Sequence, residues 1–135
     1  KSPDSIIFKD FAHSPSKVKA TAQAIRKQFP EKRFIACFEL HTYSSLNPIF
    51  LSKYKDTLKN ADECYVYYSE KNMKIKRLEP IDSNLIIKSF NHVNLSVIDN
   101  YKKLKEIMYS LDLANSVLVM MSSGKFGGLD LMKLK

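Results

Sequence analysis

At 135 residues the chain is one domain by size and long enough for a real core. With 44% hydrophobic and 27% charged residues it has the composition of an ordinary globular chain, and no apolar run approaches the roughly 18 residues of a membrane helix, so no membrane association is expected. The formal charge of +8 would suit an acidic partner, but the lysines are scattered along polar faces, as on a solvated basic surface, and no nucleic-acid partner is expected.

The N-terminus carries no signal-peptide pattern. It does not begin with Met and enters a strand almost at once, the expectation for a domain excised from a longer protein. Ser5–Phe8 reads as that strand. Ser14 is a good N-cap and Pro15 suits the first helical position. Val18, Ala22, Ile25 and Phe29 then form one stripe of a helix, which Pro30 ends. The run "RFIACFEL" (33–40) is nearly continuous in apolar residues, as expected of a strand covered on both faces. Asn47-Pro48 opens a second helix with Phe50, Leu51, Tyr54 and Leu58 inward. "ECYVYYS" (63–69) is a third strand, rich in aromatic and β-branched residues. "MKIKRLEP" (73–80) alternates apolar and polar residues and reads as a short, half-exposed edge strand. Asp82 or Ser83 caps a helix through Phe90, "VNLSVI" (93–98) is a strand, and Asp99 caps a helix with Leu104, Ile107, Met108 and Leu111 on one face. "SVLVMMSS" (116–123) is the last strand and runs into "GKFGG".

Strands alternating with helices predict a Rossmann-like α/β domain over 1–135, with a mostly parallel sheet of about six strands and helices on both faces. No repeat, low-complexity segment or long linker divides it. Cys37 and Cys64 lie inside apolar runs without CxxC spacing, the pattern of buried free thiols in a reducing, cytoplasmic compartment and not of a metal site.

In such sheets ligands gather beyond the carboxyl ends of the strands. "DFAHSP", "ELHTYSSLNP" and "SSGKFGG" occupy that position. Asp10, an acceptor-only carboxylate, suits a diol such as a ribose, or caps the turn or helix start. His13 is a donor to a substrate oxygen or a turn residue. His41 and Tyr43, beside the hydroxyls of Thr42, Ser44 and Ser45, make either a hydrogen-bonding surface or an ordinary strand-to-helix loop. His92 precedes a strand far from these loops and is assigned no role. Gly124, Lys125 and the glycines that follow offer unobstructed N–H groups or a turn with positive φ. The motif is neither GxxxxGK[ST] nor GxGxxG, and no Ser-His-Asp or Cys-His arrangement is inferable.

Three stretches carry a family resemblance. "DFAHSPSKVKATAQAIRKQFP" resembles the opening of the C-terminal domain of the Mur ligases, the ATP-dependent amide-forming ligases of peptidoglycan synthesis, with their D-[YF]-[AG]-H-x-P signature. "FELHTYSSL" resembles the F-x-P-H-R-Y-[ST]-R stretch of the alanine-adding members. "LVMMSSGKFGGLD" resembles the "MSNGGFGG" ending of the branch that ligates murein tripeptide. The resemblance covers essentially the whole chain in order and spacing.

It implies that Asp10 contacts the ribose of ATP, that Phe11 stands where an aromatic packs near the nucleotide-sugar, and that His13 lies near the junction of acceptor and nucleotide. It also implies acceptor contacts from His41, Thr42, Tyr43, Ser45, Ser123, Gly124 and Lys125. The family enzyme has three domains, and the N-terminal and central ones would be this domain's partners. ATP and Mg2+ would be bound mainly by the central domain, with UDP-N-acetylmuramate and murein tripeptide as substrates. This domain would close over the central one, and alone it is expected to be inactive. The alternatives are the UDP-N-acetylmuramate–L-alanine ligase, or a stand-alone α/β binding module.

Overall fold

β1 (Ile6–Asp10), β2 (Arg33–Glu39), β3 (Glu63–Tyr67), β4 (Leu95–Ile98) and β5 (Ser116–Met121) form one sheet in the order β1-β5-β2-β3-β4, and every neighbouring pair is parallel. This is a computed structural model that describes residues 4–41, 47–79 and 81–134. The helices are α1 (Pro15–Gln28), α2 (Pro48–Leu51), α3 (Glu70–Ile75), α4 (Ser83–Phe90) and α5 (Tyr101–Ser110), with short 3-10 turns at 52–54, 126–128 and 131–133.

The central strands are apolar on both faces because both faces are covered. Along β2, Phe34, Ala36 and Phe38 point into one core while Ile35 and Cys37 point into the other. In β5, Val117, Val119 and Met121 face the first core, and Leu118 and Met120 the second. This is the period of two inherent to a pleated strand. The first core is closed by Val18, Ala22 and Ile25 of α1 and by Ile86 and Phe90 of α4, with Tyr54 stacked on Phe90 at 5.1 Å. Leu104 and Met108 of α5, together with Phe126, Leu129 and Leu134, close the second.

Five strands replace the six expected. The expected edge strand over 73–80 does not form across its described residues, 73–79: Ser69 accepts a hydrogen bond from Asn72 N at 3.1 Å and starts α3, with Glu70 in its first turn. A side-chain cap and a favourably placed acid outweigh a weak alternation of apolar residues. Arg77, at φ 56°, ends this segment of the chain.

The helix opening at Asn47 is also shorter than expected. Asn47 caps it, accepting from Ile49 N at 2.8 Å, but α2 gives way to a 3-10 turn before Leu58. Asp56 turns to φ 62° and donates its N–H to Phe90 O, so a tertiary bond redirects the chain there. The cap of α5 is Asn100, which accepts from Lys103 N at 2.9 Å, and not Asp99. Asp99 instead faces Lys103 at 3.6 Å.

The order of the strands creates a crevice. The connections leaving β1 and β2 pack α1 and α2 on the first core, whereas the segment leaving β5 packs on the second. β5 lies between β1 and β2. Chains departing to opposite faces leave an opening at the carboxyl ends of these three strands, the usual ligand position in open parallel sheets.

Candidate functional site: the rim above β1, β5 and β2

Asp10 ends β1 at this opening. Its Oδ1 accepts from Ala12 N at 2.8 Å, and Oδ2 has a long contact, 3.5 Å, with the Thr21 hydroxyl. The turn-capping role is therefore real, and Oδ2 retains capacity for a further donor. Phe11 is 69% exposed and meets the His13 ring edge-on at 5.5 Å. His13 Nδ1 donates to Phe11 O at 3.0 Å, which assigns the proton to that nitrogen because a carbonyl can only accept. The backbone below is pinned by Tyr54, whose hydroxyl donates to His13 O at 2.6 Å. Burial pushes that phenol up, so it stays a donor at any ordinary pH.

The segment after β5 forms the opposite wall. Lys9, Asp10, Phe11, Ser122, Ser123, Gly124 and Lys125 line one open groove. The fold thus brings Asp10 and Phe11 together with Ser123, Gly124 and Lys125, although more than a hundred residues separate them in sequence. The Ser123 hydroxyl oxygen is shielded from solvent and has no hydrogen-bond partner among the described residues, while Lys125 is exposed. The exposed ammonium of Lys125 suits an anionic group in the groove, whereas the shielded Ser123 oxygen is out of a ligand's reach in this arrangement.

His41 borders the same wall through Gly124, and its carbonyl accepts from Lys76 Nζ at 2.8 Å. Thr42, Tyr43 and Ser45 lie outside the described residues. His92 caps locally, its Nε2 hydrogen-bonded to Ala61 O at 2.8 Å.

Two rim residues, Glu39 and Ser122, open the stretches "ELHTYSSLNP" and "SSGKFGG" but have no role assigned from the sequence. Glu39 is only 3% exposed, and its Oε1 accepts from the Ser122 hydroxyl at 2.6 Å and from Phe126 N at 3.0 Å. Ser122 Oγ in turn accepts from Gly124 N at 2.7 Å. The one signal pointing to them is a carboxylate closing an otherwise buried strand, since glutamate is rarely buried without partners.

Among the described residues no group of three or more His, Cys, Asp or Glu side chains could hold a metal ion. Asp10 and the groove fit a nucleotide hydroxyl and an anion, and they do not fit magnesium. No described helix is long and apolar enough to cross a membrane.

The fold and rim define a Rossmann-like α/β domain with its crevice at the strand carboxyl ends, and the chain is Mur ligase C-terminal-domain-like. No family model matches it. It is 40% identical over 63 residues to the UDP-N-acetylmuramate–L-alanine ligase of Limosilactobacillus reuteri, a stretch covering 47% of this chain and 14% of that protein. Its structure is similar to a domain assigned to a UDP-N-acetylmuramate:L-alanyl-γ-D-glutamyl-meso-diaminopimelate ligase of Haemophilus ducreyi, with a TM-score of 0.66, 21% identity and coverage of 93% of this chain and 85% of that one. It is also similar to a UDP-N-acetylmuramate–alanine ligase of Thermotoga maritima, with a TM-score of 0.64, 18% identity and coverage of 94% and 26%. At these identities the two structures speak for the fold alone.

Proposed function

We propose that the chain is the C-terminal, acceptor-binding domain of a three-domain, cytoplasmic ATP-dependent ligase, and that the parent enzyme joins murein tripeptide to UDP-N-acetylmuramate in peptidoglycan recycling. The observation that carries this reading is the convergence of Asp10 and the 122–125 segment on one groove at the switch point of the sheet. Asp10 Oδ2 accepts from a ribose hydroxyl of ATP. Lys125 receives a carboxylate of the acceptor. The chain contains no GxxxxGK[ST] segment, so phosphoryl transfer belongs to the rest of the parent, where magnesium would supply charge neutralisation at the phosphates. The role left to this domain is positioning two substrates by closure.

The acceptor reading rests on Thr42 and Ser45. The alanine-adding pattern has arginines there, whose planar forks meet the carboxylate of a small amino acid. With a threonine and a serine in their place, free alanine loses that clamp, while a longer acceptor can run past toward Lys125. The competing reading, an L-alanine ligase, is favoured by the 40% identity to the Limosilactobacillus reuteri protein.

Competition between L-Ala-γ-D-Glu-meso-diaminopimelate and L-alanine in the full-length protein separates the two. A higher kcat/KM for the tripeptide, reduced by Lys125→Ala, is expected. Equal or better use of L-alanine overturns the acceptor assignment. A full-length protein with no upstream GxxxxGK[ST] and no ligation overturns the ligase reading and leaves a binding module.

A further inference from the structure

We infer that Glu39 is a positioning residue that holds the 122–126 segment, and with it the groove wall, in its working shape. The inference rests on the ligase reading only for what the wall binds. The geometry stands independently of it.

A carboxylate that is 3% exposed is costly unless its lone pairs are used. Glu39 directs them at one loop. Oε1 accepts from both the Ser122 hydroxyl (2.6 Å) and Phe126 N (3.0 Å). Because Ser122 Oγ also accepts from Gly124 N (2.7 Å), the backbone at both 124 and 126 is tied to this one carboxylate. The remaining oxygen, Oε2, faces His41 Nδ1 at 3.7 Å, and the His41 ring covers Gly124 from the other side. Ser122 N donates to Asp10 O at 3.0 Å, which joins the loop after β1 to the same assembly. One buried side chain thus ties the segment after β5 to the end of β2, and the Ser122 backbone joins that segment to the end of β1.

The conformation being held is one the loop would not keep by itself. Phe126 has φ 51°, in the left-handed region that bulky residues avoid. Two interactions oppose that strain: the Phe126 ring is 2% exposed and packs against Tyr67 at 6.5 Å, and its N–H is bonded to Glu39. Removing the Glu39 acceptor leaves a strained residue with an unpaired buried N–H two positions from Gly124. Ser123 and Lys125, flanking Gly124, would then lose their fixed places in the groove. Glutamine at position 39 preserves the arrangement, since its Oε1 can accept the same two bonds while its amide group turns toward His41.

The test compares Glu39→Ala, Glu39→Gln and Ser122→Ala in the full-length protein by hydrogen exchange and by kinetics with the tripeptide. Glu39→Ala is expected to speed exchange across 122–128 on the order of 10- to 100-fold, the range for losing hydrogen bonds to a charged group, with β5 itself unchanged. KM for the tripeptide rises by a similar factor while kcat falls less. Glu39→Gln restores both. A merely structural role would instead speed exchange throughout the sheet and lower the active fraction with KM unchanged, and that result overturns the inference. So does unaltered exchange over 122–128 in the alanine variant, or a glutamine variant as damaged as the alanine one. Should Glu39→Ala fail to fold, Ser122→Ala decides: loosening confined to Gly124 and its neighbours is expected, and its absence overturns the inference. If the wild-type protein does not ligate at all, the functional reading fails while the exchange comparison still settles the role of Glu39.

Discussion

The His41 imidazole covers Gly124 so closely that a Cβ added there would stand 2.8 Å from His41 Cγ and Nδ1. Glycine is required at 124 by this approach between two rim loops. Gly124→Ala must push the ring aside, and because the His41 side chain is 38% exposed it has somewhere to go. The cost in stability is expected at the low end of overpacking, about 1 kcal/mol. The loss in tripeptide kcat/KM is expected to be larger, on the order of 10- to 100-fold, because the displaced groups border the groove. Thermal melts and steady-state kinetics of the full-length variant check this. A variant with wild-type kinetics would remove His41 and Gly124 from the site.

Substitutions can separate the turn contact of Asp10 from its proposed contact with ATP. Asp10→Asn keeps an acceptor for Ala12 N and should melt close to wild type. It would lose the proposed charge-assisted bond to ATP, worth about 1.5–3 kcal/mol, so on that reading kcat/KM for ATP should fall roughly 10- to 100-fold. Asp10→Ala loses the turn as well, at about 1 kcal/mol of stability. Unchanged ATP kinetics in both variants, with a melting shift in the alanine one, would leave only the turn.

Asp62 should make stability pH-dependent at the end of the sheet opposite the groove. Burial pushes its carboxyl up, but the Phe34 N–H at 2.8 Å and Arg26 at 2.7 Å outweigh burial and hold it below its ordinary value. A carboxyl depressed in the folded state stabilises above its unfolded pKa, and this stabilisation is lost as pH falls through the folded one. Its side chain is 53% exposed, so solvent screening limits the contribution to at most about 1 kcal/mol. Asp62→Asn should therefore melt slightly below wild type at neutral pH, with the gap closing as pH falls through the lowered folded-state pKa. A gap that persists in acid would point to packing.

Both thiols are expected to be inert in the folded protein. Burial, reinforced by Glu63 and Asp62, pushes Cys64 up to about 12. Cys37 is driven higher still by burial, with Glu39 and Cys64 adding to it. The thiolate is the nucleophile, so a disulfide reagent at mildly alkaline pH should titrate neither cysteine until denaturant is added. Rapid reaction of the native chain would show that the core opens locally.

Much of the fold is legible in local pattern. The runs 33–40 and 116–121 are apolar on both sides of the pleat, and only a strand covered on both faces needs that, so the amino-acid order alone marks the two central strands. The Ser14-Pro15 start and the 18-22-25 stripe likewise place α1, because capping and helical period are properties of neighbouring residues. Asp10 and the 123–125 segment stand out as rim residues, since strand ends are where such sheets bind ligands. Tertiary structure decided the rest. The insertion of β5 between β1 and β2 pairs Phe38 with Met121 and Asp10 with Met121, and no local pattern encodes which distant strand becomes a neighbour. Whether the segment from Met73 began as a strand or as the end of a helix turned on the Ser69 cap and the position of Met73 in the core. Glu39 interrupts the apolar run 33–40 and could have faced solvent. It became the buried centre of the rim because Ser122 and Phe126, more than eighty residues away, bring their donors to the same place.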